Sequence, residues 1–187
     1  MIIQLIQKIR HHPRSHSHTE ALIASLGAFS GMALIYFMML KLSLPSNSLA
    51  LLAASTGATA LLIFALPDSE FSHPWSVLGG HSISGLIGVA CFQWLDNNFL
   101  SSALSVSLAI FAMHAFKCLH PPGGATALLA VIGGEQITSL GFSYLLFPVF
   151  SNALGLLLIA GVFNYCARPA LRALEKRFVI LEEENKP

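Results

Sequence analysis

His114, Lys117 and His120 recur at three-residue intervals in an otherwise apolar stretch, and His120 is followed at once by Pro121, Pro122, Gly123 and Gly124. On one continuous helix the spacing i, i+3, i+6 puts these three side chains on a single stripe. A lysine beside two imidazoles can attract an anion, with histidine protonation adjusting the charge near neutral pH. The two prolines have no backbone donor, so they stop the helix before them and suit the first positions of the one that follows. Such a start would point the amides of Gly123 and Gly124 at a ligand, and the positive end of the helix dipole would add about 0.3 to 2 kcal/mol. Together these groups form a candidate seat for a small anion. Two plainer readings compete with it: a helix break whose glycines serve close packing, and a Lys117 that snorkels to the membrane surface.

Other polar residues sit in equally apolar surroundings. Ser55, Thr56 and Thr59 surround Gly57, and Thr126 follows Gly124, so hydroxyls from both segments can add contacts to the anion. His81 comes directly after Gly79-Gly80, with Ser82 and Ser84 behind it, and either His81 or His114 can relay or gate a proton. His81, His114 and His120 form no HxxxH pair and the chain has no CxxC, so neither a metal site nor another cofactor is expected. His11, His12, His16 and His18 read as part of a solvated basic tail. Cys91, Cys118 and Cys166 are odd in number and widely spaced, which suits small packing residues better than a disulfide framework. No nucleophile–base set or phosphate-binding loop is present, so no enzyme and no catalytic residue is expected.

The elements that must hold these residues are membrane helices. Of 187 residues, 55% are hydrophobic and 10% charged, and the mean hydropathy is +0.69. Only Lys41, Asp68, Glu70, Asp96, Lys117 and Glu135 carry formal charge between residues 21 and 166. A charge at the bilayer centre costs about 3 kcal/mol or more unless it faces a cavity or partner, so a polytopic bundle in a lipid bilayer explains the distribution. A net charge of +1 gives no reason to expect nucleic acid.

Spans need roughly 17 to 25 apolar residues. Runs at 21–40, 75–95, 99–118 and 143–166 are long enough, 49–66 just reaches the length, and 121–134 is short. Gly57-Ala58-Thr59-Ala60-Leu61-Leu62 recurs as Gly124-Ala125-Thr126-Ala127-Leu128-Leu129, and Asp68 matches Glu135 at the same offset. This predicts an all-α membrane protein of two internal repeats, about 21–96 and 99–166, with six helical segments or four spans plus two re-entrant half-helices. Residues 1–20 read as a cytoplasmic tail and 167–187 as a cytoplasmic charged helix. Lys8, Arg10 and Arg14 before the first span, and Arg168, Arg172, Lys176 and Arg177 after the last, place both ends in the cytoplasm. Gly27 with Gly31, and Gly80, Ser84 and Gly88, are stripes for close helix packing.

Leu119-His120-Pro121-Pro122-Gly123-Gly124-Ala125-Thr126-Ala127-Leu128, together with Pro74-Trp75-Ser76-Val77-Leu78-Gly79-Gly80-His81, resembles the HPP family of integral membrane proteins over about residues 21 to 166. The resemblance implies a compact helical membrane module and, through plant and cyanobacterial relatives, nitrite transport. It singles out His120, Pro121, Pro122, Gly123, Gly124, Thr126, Gly79, Gly80 and His81. Where the family often has arginine, this chain has Lys117, a point charge that cannot grip a planar anion bidentately. The expectation is a transporter or channel for a small inorganic anion, nitrite first, in a bacterial inner membrane and as a homo-oligomer, because the chain is small. The alternative is a non-transporting assembly or sensor subunit.

Overall fold

The computed structural model describes residues 18–40, 46–95 and 98–184, with side chains described over 18–40, 54–95 and 98–177. The tail residues His11, His12 and His16, Lys41 and Asp96-Asn97 lie outside that set. All described secondary structure is helical: α1 His18–Leu40, α2 Ser46–Ala65, a 3-10 turn Glu70–Ser72, α3 Pro74–Trp94, α4 Asn98–Ala115, α5 Pro122–Ile132, α6 Glu135–Thr138, α7 Ser151–Val162 and α8 Arg168–Glu184. Leu145–Phe150, kinked at Phe147 (φ −142°, ψ 121°), precedes α7, and a wide π-type turn, Phe163–Ala167, follows it, so α7 runs into α8 without a stop.

Among the described residues four stretches are long and apolar enough to cross a bilayer: His18–Leu40, Pro74–Trp94, Asn98–Ala115 and Leu145–Arg177. Helix α5 has 11 residues, about 16 Å at 1.5 Å per residue, or roughly half of a 30 Å hydrocarbon core. It therefore goes only part of the way. Its prolines set its start, as the sequence predicted, and it ends where Gly133 and Gly134 break it, Gly134 at φ +80°.

Lipid-facing and inward surfaces are sharply divided. Helix α1 buries Ile23, Gly27, Gly31, Ile35 and Met39, and α4 buries Ser101, Ser105, Ala109 and Met113. A four-residue interval is one ridge of a helix, the geometry by which helices interdigitate. The opposite faces leave Phe29, Phe37, Phe99, Phe111, Leu158 and Tyr165 exposed, apolar surface that lipid covers without cost. Helix α3 is buried over more of its length than the other spans and lies centrally, with α5 running parallel to it.

Both small-residue stripes face neighbours. A Cβ on Gly27 would stand 2.5 Å from the Phe64 ring, and one on Gly31 would stand 2.9 Å from it. A Cβ on Gly88 would meet the Ala127 carbonyl and, at 2.8 Å, the Ala130 methyl. These positions pack helices together, which is the reading the sequence favoured.

The ends of the helices are tied at one face. Ser72 Oγ lies 3.0 Å from the Leu62 carbonyl and 2.7 Å from the Leu66 carbonyl, so its one proton ties the turn to the end of α2, whose carbonyls also accept from the Leu66 and Ser69 amides. His73 caps α3, accepting from the Trp75 amide at 3.2 Å, with Pro74 next. At the same face Arg168, only 7% exposed, pairs with Glu20 at 3.2 Å, donates to Asn164 Oδ1 at 3.1 Å and donates to the Phe64 carbonyl. Glu20 also meets Arg172. One buried guanidinium thus joins the start of α1, the end of α2 and the start of α8.

Candidate functional site

The stripe predicted for His114, Lys117 and His120 does not exist, because the helix that would carry it ends at Ala115. Lys117 adopts φ +52°. Its amide donates to the His114 carbonyl at 3.1 Å, and the Cys118 amide donates to the Met113 carbonyl at 2.9 Å. This is a Schellman termination with lysine in the left-handed position that glycine usually fills, and buried Cys118 supplies the apolar contact to Met113 that accompanies it. The reversal sends the three side chains apart. His114 and Lys117 are exposed beside an open cleft of about 430 Å³ that also touches Glu70 and Ser76, whereas His120 is fully buried.

The expected amide seat is likewise used internally. The Gly123 amide donates to the His120 carbonyl at 2.8 Å and the Gly124 amide to the Pro121 carbonyl at 3.0 Å. The glycines serve close approach: a Cβ on Gly123 would stand 2.7 Å from Ser84 Oγ and 3.0 Å from the Gly80 carbonyl. Pro121 and Pro122 break the chain as expected, but the break packs against α3 and does not open to a ligand.

The remaining candidates converge. Ser55 and Thr59 from α2, His81 from α3, Thr126 from α5 and His120 from the turn before it form one buried set, none more than 6% exposed. His81 Nε2 lies 2.8 Å and His120 Nε2 3.0 Å from the same hydroxyl, Thr59 Oγ1. His81 Nδ1 lies 2.7 Å from Thr126 Oγ1, which is 2.9 Å from Ser55 Oγ. His120 Nδ1 is 2.7 Å from the Phe71 carbonyl. Thr59 and Thr126 are matched positions in the two six-residue segments, and they grip opposite nitrogens of one ring. Ser55 also reaches the carbonyl of its own match, Pro122, at 3.2 Å.

The donor inventory fixes the tautomers. A carbonyl only accepts, so His120 carries its proton on Nδ1 and, when neutral, must accept at Nε2. Thr59 has one hydroxyl proton, which goes to His120, so His81 must donate to Thr59 from Nε2 and accept at Nδ1 from Thr126. Ser55 then donates to Thr126. Every polar atom in the set is satisfied, and no buried side-chain nitrogen or oxygen among the described residues lacks a partner. The imidazole centroids are 4.8 Å apart. Two positive charges at that distance repel by about 3 kcal/mol at an effective dielectric near 20, which opposes double protonation.

Beside the set lies a cavity of about 20 Å³, lined by Ser55, Thr56, Thr59, His81, Thr126, Tyr144 and Asn152 with apolar Val149, Ala153 and Leu156. That is the size of one water. Among the described residues no three His, Cys, Asp or Glu side chains gather as a metal would require. Cys91 and Cys118 are buried free thiols and Cys166 is exposed. Tyr144, whose hydroxyl donates to the Thr126 carbonyl at 3.1 Å, and Asn152 belong to the site although the sequence reading passed over them. An amide in an apolar span was the available signal for Asn152. Arg168, one of the basic residues that follow the last span, is buried and pairs with Glu20, 148 residues away.

Two transmembrane proteins of Dictyostelium discoideum are each 37% identical to this chain over 147 residues, 76% of its length. The match covers 47% of one and 51% of the other, so the chain spans about half the length of these relatives. No solved structure matches the chain. The family description "HPP, transmembrane region" fits residues 13–171, which take in both matched segments, the buried histidines and all four candidate spans except the last six residues of the fourth. The chain therefore belongs to the HPP family of transmembrane proteins.

Proposed function

We propose that this protein is a membrane carrier for a small inorganic anion, with nitrite the first solute to test, and that the solute passes the buried hydroxyl and imidazole set. One observation carries the reading: five polar side chains, fully hydrogen-bonded and beside a water-sized cavity, lie between helices whose outer faces suit lipid. Close packing alone needs only small apolar residues, as Gly88 against Ala127 and Ala130 illustrates. Polar residues inside a membrane bundle are by default functional. In this reading Ser55, Thr59, Thr126 and Asn152 contact the anion, His81 and His120 set its charge balance, and Lys117 with His114 attracts it at the outer cleft. The glycine amides take no part.

The matched positions Thr59 and Thr126 on one imidazole support an arrangement of two repeated halves, with α2 and α5 as the matched inner helices and the site where they meet. The Glu20–Arg168 pair joins the start of α1 to the start of α8 at one face. With the flanking lysines and arginines, that face is the cytoplasmic one in our reading, by the rule that positive charge stays inside. A homo-oligomer completes the proposal.

The cavity's size favours a second reading, a non-transporting assembly or sensor subunit, since it has room for one water only in this conformation. Flux decides between the two. Proteoliposomes loaded with the protein should take up labelled nitrite faster than empty vesicles, with nitrate, bicarbonate and chloride as competitors, and His120→Gln should abolish the difference. Uptake equal to empty vesicles for all four anions would leave the subunit reading.

A further inference from the structure

We propose that the His81–Thr59–His120 set is a binding site for a single proton inside the membrane domain, with the Thr59 hydroxyl as its rotor. Thr59 Oγ1 has a third partner, the Ser55 carbonyl, at 3.1 Å. In the neutral set its proton goes to His120 Nε2. When His120 takes up a proton at Nε2, that nitrogen donates to Thr59 Oγ1, and the hydroxyl turns its own proton to the Ser55 carbonyl. His81 still donates to Thr59 and still accepts from Thr126. One proton enters, the charge rises by one, no covalent bond other than the new N–H changes, and both states keep the contacts of both imidazoles to Thr59.

A second proton meets repulsion. Protonating His81 Nδ1 would turn the Thr126 hydroxyl to Ser55 Oγ at 2.9 Å and the Ser55 hydroxyl to the Pro122 carbonyl at 3.2 Å, a longer relay than the single turn at Thr59, and would put two cations 4.8 Å apart. The groups that meet the pair are the Thr59 and Thr126 hydroxyls of α2 and α5 and the Phe71 carbonyl, and beside Gly80, where His120 packs on α3, stand the Met113 sulfur of α4 and the Cys118 carbonyl. Tyr144 reaches Thr126 through its backbone. Among the described residues no carboxylate, lysine or arginine hydrogen-bonds to the set, and Glu70 and Lys117 belong to the outer cleft. An imidazolium here lacks a counter-charge, and an anion in the cavity against Thr59 and His81 would supply one. On the carrier reading, which this consequence depends on, proton and anion therefore load together and cross as an electroneutral pair.

The test is solid-state NMR of the protein in lipid bilayers, labelled with ¹⁵N-histidine, with signals assigned by their loss in His81→Gln and His120→Gln. The expected result at neutral pH is opposite tautomers, Nε2–H for His81 and Nδ1–H for His120. As pH falls from about 8 to about 4, the range that brackets ordinary histidine titration, only His120 becomes imidazolium. Thr59→Val should turn His81 to the Nδ1–H tautomer, donating to Thr126, while Thr59→Ser keeps the native pattern and serves alone if the valine variant does not fold. Identical tautomers in the native protein, protonation of both rings together, or protonation of neither overturns the proposal. A trapped pH dye in nitrite-transporting vesicles should report acidification that Thr59→Val reduces tenfold or more. The expected tautomers without any anion flux would leave the proton site standing and remove the carrier; anion flux with native-like rates and acidification in Thr59→Val would remove the rotor.

Discussion

Replacing Thr59 by valine keeps the shape of the side chain and removes the one hydroxyl that two imidazoles share. Two hydrogen bonds of the neutral set disappear, to His81 at 2.8 Å and His120 at 3.0 Å, together with the alternative acceptor of the hydroxyl proton, the Ser55 carbonyl at 3.1 Å. The carbonyl keeps its helix bond, so the cost falls on the rings. A buried group left unpaired costs about 1–3 kcal/mol, whereas interhelical hydrogen bonds in membrane proteins average about 0.6 kcal/mol and reach about 1.7, because the unfolded chain finds partners too. The cavity decides between these figures. It borders Thr59 and His81 and is the size of one water, so water can serve His81, but His120 is not among its walls. One ring is repaired and one is not, which gives a loss of about 1–3 kcal/mol. Thr59→Ser keeps the hydroxyl and gives up a methyl group, about 1 kcal/mol. Equilibrium unfolding of the reconstituted protein, by steric trapping or a mixed-micelle titration, should rank the native protein above Thr59→Ser and Thr59→Ser above Thr59→Val. If valine proves as stable as serine, the shared hydroxyl does not bridge the histidines and the tautomer assignment fails with it.

Lys117→Gly should stabilise the protein by up to about 1 kcal/mol, since a left-handed residue without a Cβ carries no steric penalty, and an unchanged or lower unfolding midpoint would contradict the Schellman termination. The same substitution should slow nitrite uptake only at low solute concentration if Lys117 acts at the outer cleft, whereas a loss of the maximal rate would return it to the binding site. Gly88→Ala should destabilise, because its Cβ meets the backbone of α5, while Gly161→Ala, where nothing lies within 4 Å, should gain up to about 1 kcal/mol in helix propensity; the two midpoints measured side by side check this. Arg168→Gln removes one of the two arginines that meet Glu20 and the donor to the Phe64 carbonyl; since Glu20 is 30% exposed and keeps Arg172, the cost should be about 1–3 kcal/mol, that of a buried acceptor losing its partner; an unchanged unfolding midpoint would mean that the guanidinium does not tie the three helices.

Much of this arrangement could be read from residue types and spacing because lipid imposes simple rules. Apolar runs of span length, glycine at four-residue intervals and proline at a helix start each have one dominant physical meaning, and α1, α3, α4 and α5 appear where those signals stand. Thr59 and Thr126, the matched threonines of the repeated six-residue segment, both hydrogen-bond His81. The Lys117 stripe failed for an equally physical reason: a non-glycine residue took the left-handed position, a choice governed by the buried contact of Cys118 with Met113 and invisible in a periodicity that assumes the helix continues. The anion seat failed because adjacent glycines are silent about which surface they free. Here that surface was taken by Ser84 and the Gly80 carbonyl, on a helix some forty residues earlier.

The separation of Lys117 from His120 bears on what kind of carrier could work. A fixed cation in the interior would bind an anion tightly and release it poorly, and it would hold its own desolvation cost through every step of the cycle. A histidine pair tied to one hydroxyl has no such burden, because it is neutral when the cavity is empty of charge and acquires charge only with a proton. The permanent charge stays at the outer cleft, where water shares its cost and where it can only raise the local concentration of anions. Exchanging the two should expose the difference. His120→Lys in a Lys117→His background retains the residue types but gives the interior an amine, which either carries a lasting charge or stays neutral only by losing its role as a cation. The expected outcome is nitrite binding that saturates at low concentration with little turnover, read as a fall in uptake rate alongside a fall in the half-saturating concentration; uptake at the native rate would show that the interior tolerates a fixed charge and that proton-dependent charge is not what the histidines provide.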